Sequence, residues 1–373
     1  MLNLAINGRF LTQYTGGVVR VAMELVKALD KLIYNREFDI NCRLICPNTA
    51  NVNNLELKSI KIEKIGGPVK GHLWEQLILP IYIGSDTLLC LGNSAPIFSL
   101  LGKSQVAVMI HDLSYRLYPH AYRLRYRFGH SLLAPALLEL SDIIFTVSNS
   151  EKEIIQQFSR RSPSPITVAQ NGGWTAETPI IQADREDGYI LYVGSMSERK
   201  NIHGVEGAAV FLARELGLRT KIVGGSGKIF SYQSPKIPPD VAPFIEYCGH
   251  VENSEELAKL YQGARALLFP SFYEASPLPP IEAMHFGCPV VASDIPSIRE
   301  RCGDAVEYCD PASIRSIVDA VRRVVENENR SSQLVDFGYL RCKKFSWAEQ
   351  ARTIATALIG LQGNTAIYLD RLS

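Results

Sequence analysis

The chain has 373 residues, 46% of them hydrophobic and 21% charged, with 39 Lys and Arg against 38 Asp and Glu for a formal net charge of +1. That length is long for one core and suits two domains. A charge so near balance offers no global field to nucleic acid or membrane, and no run approaches the roughly 20 apolar residues that cross a bilayer. The first residues, MLNLAINGRF, lack the basic and apolar regions of a secretion signal, so the expected location is cytoplasmic. Eight cysteines lie mostly inside apolar runs and show no Cys-x-x-Cys pairing, which reads as buried reduced thiols and predicts no metal site.

Residues 2–6 read as a strand, and Gly16-Gly17 stand just before VVRVAMELVKALDKL, whose Val19, Ala22, Met23, Val26 and Leu29 recur at helical spacing. Glycines at a helix start either expose backbone N–H groups to an anion or form a flexible turn. Strand and helix candidates continue at 40–46, 74–79, 87–91 and 105–110, and this alternation predicts parallel sheets. The run 105–110 ends in His111-Asp112, which places an imidazole at a strand's carboxyl end, as a ligand-facing group or a structural one.

Residues 115–130, YRLYPHAYRLRYRFGH, mix four Arg with four Tyr and a Phe. Read as a helix from Ala121, they present either a surface for anionic lipid or a phosphate-bearing acceptor, or a solvated Arg face over a core stripe of Leu124 and Phe128. Residues 141–148 read as a strand, and Ser150 with Glu153 reads as a capping box. Residues 175–188 are polar and aperiodic, the expected linker.

The alternation restarts with the strand 189–193, which ends in Gly194 and a loop carrying Arg199-Lys200-Asn201. Adjacent Arg and Lys after a strand suit a diphosphate, a planar fork beside a mobile point charge, although exposed pairs are also simply solvated. Residues 221–223 run into Gly224-Gly225-Ser226-Gly227-Lys228, which matches neither phosphate-binding glycine motif and reads as a turn. A strand at 244–248, the turn Gly249-His250-Val251 and a helix from Ser254 follow.

The stretch 266–294 reads as a strand, a loop holding Glu274, a helix entered at Pro280 with Glu282 in its first turn, and a second strand. Pro277, Pro279 and Pro280 forbid one continuous helix from Glu274 to Glu282, so the two carboxylates do not share a helical face. The macrodipole alone accounts for Glu282. Glu274, in a loop of small residues and prolines at the sheet's carboxyl edge, suits gripping hydroxyl groups.

The two glutamates seven residues apart, the Pro-Pro-x-Glu-Ala-Met helix start, Phe-Pro-Ser-Phe, Gly-Cys-Pro-Val-Val-Ala-Ser, Arg199-Lys200-Asn201, Gly16-Gly17 and His111-Asp112 together resemble the retaining family-4 glycosyltransferases of GT-B fold. His-Asp-Leu-Ser with Trp74-Glu75-Gln76 and Asn7-Gly8-Arg9-Phe10 looks like the branch that builds bacterial surface polysaccharides, often as mannosyltransferases. The resemblance implies an α/β chain of two Rossmann-like domains with parallel sheets facing across a cleft. On that expectation residues 1–178 form the acceptor domain, 186–346 the donor domain, and the helix at 347–373 returns towards the first.

Carried over, Glu274 would contact the donor sugar, with His111 reaching it from the other domain. Arg199, Lys200, Gly16 and Gly17 would meet the diphosphate, Glu282 the ribose, Gly249 and Val251 the base, and Ala275, Ser276, Pro277 and Leu278 the sugar-contact loop. Pro277 and Ser195 depart from the family pattern, and both bear on donor choice. The expected reaction is retaining sugar transfer from a nucleotide sugar, GDP-mannose first and UDP- or dTDP-sugars next, to a glycan or lipid-linked acceptor, with no cofactor, no metal and no nucleic acid. A sugar-nucleotide epimerase or hydrolase, and a catalytically silent nucleotide-sugar-binding subunit, are the alternatives.

Overall fold

Strands alternate with helices along most of the chain, and these helices carry the chain back to the start of the next strand, so neighbouring strands run parallel. The computed structural model describes all residues except 14–15, 54, 68, 160–163, 176–187, 226–236 and 371–373, and only the backbone of 363–370. The chain divides into two compact units, Met1–Leu113, Phe128–Gly172 and Ser346–Ser373 in the first, Ser114–Arg127 and Gly173–Phe345 in the second.

The first unit contains β1 (Leu2–Asn7), β2 (Ile40–Pro47), β3 (Lys61–Ile65), β4 (Thr87–Cys90), β5 (Val106–Met109), β6 (Ile143–Thr146) and β7 (Ile166–Val168) in the order β3-β2-β1-β4-β5-β6-β7. Every neighbouring pair is parallel. The helix Gly17–Tyr34 buries Val19, Ala22, Leu25, Val26 and Leu29, the stripe expected of a helix against a sheet. The last helix, Trp347–Asp370, belongs to this unit, where Arg352 pairs with Glu37 at 3.0 Å and Gln350 donates to the Ala169 carbonyl at 3.0 Å.

Strand order reverses between β1 and β4, and the carboxyl ends of these strands hold a buried charge cluster. Glu75, fully buried, accepts from Asn7 Nδ2 at 2.6 Å, Arg9 Nε at 3.0 Å and Ser94 Oγ at 2.9 Å, and Arg9 Nη2 reaches Ser94 Oγ at 2.8 Å. The motifs Asn7-Gly8-Arg9 and Trp74-Glu75-Gln76, far apart in sequence, are thus one ionic assembly. Burial opposes its charge, but the His72 and Arg9 side chains prevail and hold the Glu75 carboxyl down to about 2.

The second unit contains β8 (Tyr189–Val193), β9 (Thr220–Val223), β10 (Ile245–Gly249), β11 (Ala264–Phe269), β12 (Val290–Ser293) and β13 (Glu307–Cys309) in the order β10-β9-β8-β11-β12-β13, again all parallel. Its strands bury both faces with a period of two. Ile190, Tyr192, Ala266 and Leu268 pack towards the helix Ile202–Leu216, while Leu191, Leu267 and Phe269 pack towards the helix Pro279–His285.

Several local details differ from the sequence reading. Residues 114–127 lie in the second unit, because Tyr118 Oη donates to the Phe272 carbonyl at 3.2 Å and its ring lies 5.7 Å from that of Tyr273. The helix read from Ala121 runs instead over Leu124–Leu140. Helix Asn149–Phe158 is capped by Ser148, whose hydroxyl accepts from the Glu151 N–H at 3.1 Å, so the Ser150 to Glu153 capping box is displaced by two residues. Most of the expected linker, and the turn beyond Gly225, lie outside the described residues.

Because the folded pKa of Glu75 is depressed, its ionisation stabilises the fold above the unfolded carboxylate range, and this contribution is lost as pH falls towards about 2. The contribution is on the order of 3 kcal/mol. Denaturant melts between pH 7 and pH 2 are expected to show Glu75→Gln less stable at pH 7 and less sensitive to acid than the native chain.

Candidate functional site

Two loops meet where the second sheet reverses its strand order. One follows β8 and the other follows β11, adjacent parallel strands whose carboxyl ends open a crevice. Asn201 joins the loops. It caps the helix Ile202–Leu216 by accepting from the Gly204 N–H at 3.1 Å, and its amide donates to the carbonyls of Pro270 at 3.0 Å and Pro311 at 2.7 Å. It does so in the left-handed conformation, with φ of 54°, which Asn tolerates better than most residues. A Cβ at position 204 would come within 2.5 Å of the Asn201 amide, so this close cap requires glycine. The Phe272 N–H donates to the Arg199 carbonyl at 3.0 Å and completes the backbone link.

These bonds place three charged side chains together. Lys200 Nζ donates to Glu274 Oε1 at 2.7 Å, Arg199 Nη1 lies 3.6 Å from Glu274 Oε2, and Arg199 Nη1 donates to the Tyr273 carbonyl at 2.8 Å. Burial would raise the Glu274 carboxyl, but Lys200 and then Arg199 outweigh it and hold the pKa below the usual carboxylate value. Two guanidinium or ammonium groups against one carboxylate leave one net positive charge at the crevice, an electrostatic setting for an anion. The same carboxylate is a strong acceptor held in one orientation.

Glu282 stands apart from this trio, on the helix that begins at Pro279, one residue earlier than the sequence suggests. It is buried and accepts from Tyr261 Oη at 2.8 Å, with the Tyr261 and Phe286 rings stacked 6.0 Å apart. Gly249 ends β10 with φ of 70°, its carbonyl accepting from the Gly224 N–H at 2.7 Å, and Val251 packs on the core that includes Ile281. In the loop after Glu274, Ala275, Pro277 and Leu278 are buried and Ser276 is half-buried.

His111, Gly16 and Gly17 belong to the first unit. His111 is buried just past the end of β5, its Nε2 2.9 Å from the Leu91 carbonyl, and burial pushes its pKa down, which favours the neutral ring. Gly16 caps the helix Gly17–Tyr34, and a Cβ on Gly17 would meet nothing within 4 Å.

Two supporting residues escape sequence reasoning. Arg301, buried, donates its Nε to the Pro277 carbonyl at 2.9 Å while its guanidinium lies 4.3 Å from the centre of the Phe345 ring; burial pulls its pKa down to about 10. Tyr118 anchors Phe272 and Tyr273, immediately before Glu274. No spacing or motif links either residue to the loop it holds.

Residues 175–341 match the family model of glycosyl transferases group 1. Over 251 residues, 64% of this chain, the sequence is 30% identical to the O-antigen chain mannosyltransferase B of Escherichia coli, and the match spans 65% of that relative's length. The fold is similar to that of sucrose-phosphate synthase from Thermosynechococcus elongatus, with a TM-score of 0.73 and 17% identity over 98% of this chain and 100% of the other. It is also similar to HepE of Anabaena solved in complex with UDP-glucose, with a TM-score of 0.69 and 13% identity over 96% of this chain and 100% of the other. These likenesses extend over both units and establish the expected GT-B fold class.

Replacing Lys200 by Met leaves Glu274 buried with one fewer cation, a change expected to cost about 3–5 kcal/mol at neutral pH. Its carboxyl pKa should rise, so the deficit relative to the native chain should shrink as pH falls and Glu274 takes up a proton. Thermal unfolding of both proteins from pH 8 to pH 4 measures this convergence.

Proposed function

We propose that this chain, which carries a glycosyl transferases group 1 domain at residues 175–341, transfers a sugar, mannose first, from a nucleoside-diphosphate donor to a glycan or lipid-linked acceptor in surface-polysaccharide synthesis, with retention at the anomeric carbon. The observation that carries this reading is the Arg199, Lys200 and Glu274 cluster at the strand-order reversal of the second sheet. It joins cations suited to a diphosphate with a carboxylate suited to sugar hydroxyls.

In this reading Lys200 and Arg199 exchange part of their interaction with Glu274 for the donor's phosphate oxygens, and stabilise the negative charge that grows as the carbon–oxygen bond to the diphosphate breaks. Such placement of fixed charge commonly supplies the largest part of catalysis. Glu274, held ionised, accepts from sugar hydroxyls. Glu282, oriented by Tyr261, serves the ribose, and the turn from Gly249 to Val251 serves the base. Arg301 holds the Pro277 carbonyl, so the loop at 275–278 meets the sugar with a preset backbone.

The acceptor hydroxyl attacks on the face from which the diphosphate leaves, and the departing phosphate takes its proton. The two basic side chains perform the charge neutralisation that a divalent ion performs elsewhere, and the sequence contains no Asp-x-Asp motif. A lipid-linked acceptor would bring the protein to a membrane surface. No helix among the described residues is long and apolar enough to cross one.

A thermal-shift screen against GDP-, UDP-, dTDP- and ADP-sugars is expected to single out one donor, because a ligand at about 100 times its Kd adds roughly 2.7 kcal/mol. Absence of any shift would remove the donor-site assignment. Sugar transfer is expected to persist in EDTA, and a loss of turnover restored by manganese would overturn the metal-independent mechanism. Donor consumption without acceptor at the full rate would identify a hydrolase or epimerase instead.

A further inference from the structure

We propose that Tyr118 is a positioning residue of the donor site: it fixes the backbone immediately before Glu274 and so sets where that carboxylate meets the transferred sugar. This rests on the reading of Glu274 as the group that accepts from sugar hydroxyls. Tyr118 lies outside residues 175–341, which match the family model, and 154 residues before its partner Phe272. The loop after β11 is then complete only with the segment Ser114–Arg127, which folds into the second unit from the first half of the chain.

Residues 270–278 form neither helix nor strand, and side chains hold the loop's carbonyls almost one after another. Asn201 donates to the Pro270 carbonyl at 3.0 Å, Ser293 Oγ to Ser271 at 2.5 Å, Tyr118 Oη to Phe272 at 3.2 Å, Arg199 Nη1 to Tyr273 at 2.8 Å and Arg301 Nε to Pro277 at 2.9 Å. A loop with no ladder of its own keeps one conformation when its backbone polar groups are met in this way. The other donors lie between residues 199 and 301. Tyr118 comes from elsewhere, and the carbonyl it holds is two residues before Glu274.

Its own segment is braced for this task. Ser114 Oγ and Tyr122 Oη lie 2.6 Å apart, the Tyr122 and Tyr126 rings stack at 5.3 Å, and Tyr115 meets Tyr126 edge-on at 6.4 Å. The Tyr118 N–H donates to the Ser114 carbonyl at 2.7 Å and the Ala121 N–H to the Tyr118 carbonyl at 3.1 Å, so the residue is held between the short helix Ser114–Leu117 and the turn Pro119–Ala121. That turn packs on Glu198–Lys200, and the segment therefore touches both loops that carry the charged trio. The Tyr118 ring lies 5.7 Å from that of Tyr273, tilted by 39°, which adds an aromatic contact to the hydrogen bond. Because the Tyr273 carbonyl accepts from Arg199, a shift at Tyr118 displaces the residue next to Glu274.

The test uses the full chain and two pairs of probes, GDP-mannose with GDP and UDP-glucose with UDP, each titrated by thermal shift, and carries forward the pair that binds the native protein. Tyr118→Phe keeps the ring on Tyr273 and removes only the hydroxyl. It is expected to weaken binding of the nucleotide sugar about fivefold, the scale of one neutral hydrogen bond. Binding of the free diphosphate is expected to stay unchanged, because the loop of Lys200 and Arg199 keeps its own anchor in Asn201. Tyr118→Leu, which removes the ring as well, is expected to cost about twentyfold. In a Glu274→Gln background Tyr118→Phe is expected to add no further loss, since its effect passes through that carboxylate. Equal affinity of native and Tyr118→Phe protein for the nucleotide sugar, whatever the melting temperature, would overturn the proposal. So would an equal loss for sugar and free diphosphate, or a loss that repeats in full in the Glu274→Gln background. A native protein that binds neither pair would instead remove the donor-site reading itself, so the two failures are distinguishable.

Discussion

The second unit is organised around a buried carboxylate whose charge burial opposes. Glu274 remains ionised because Lys200 and Arg199 reach it from another loop, and they can reach it only because Asn201 ties the two loops through backbone carbonyls on either side. Neither loop supports this geometry by itself. The helix Ile202–Leu216 begins at the same Asn201, so helix capping, loop pairing and charge placement are properties of one residue. The sheet supplies the setting, since strand order reverses between β8 and β11 and their carboxyl ends part there.

The first unit repeats the principle with different residues. At its own reversal, Arg9 follows β1, Ser94 follows β4, and Glu75 comes from the helix Gly71–Leu77 between them. Here the charges are closed upon one another in a buried assembly. The Arg199, Lys200 and Glu274 assembly instead sets two basic side chains against one carboxylate.

Sequence patterns revealed much of this arrangement. The parallel sheets were legible because an apolar run of four to six residues followed by a helix admits few other packings, and Glu274 stood out because prolines separated it from any helical role. Burial and partners were less accessible. The Leu124 and Phe128 pair has the spacing of a core stripe, yet both side chains are exposed, because periodicity shows which residues share a face and not what that face meets. Tyr118 looked like part of a basic surface segment, and its hydrogen bond to Phe272 spans 154 residues. Ser148 and Ser150 both precede a glutamate by three, so spacing alone does not separate them, and the chain's exit from β6 puts the cap at Ser148.

The sequence by itself determined the alternation of strands and helices, the division into two α/β units, and the residue types available at each strand's carboxyl end, because these follow from local spacing, proline and glycine. The tertiary structure decided which distant residues meet. It paired Arg9 with Glu75, Lys200 with Glu274 and Arg301 with Pro277, and it moved residues 114–127 into the second unit. Those outcomes rest on strand order and on the closing of long loops, and no local pattern records either.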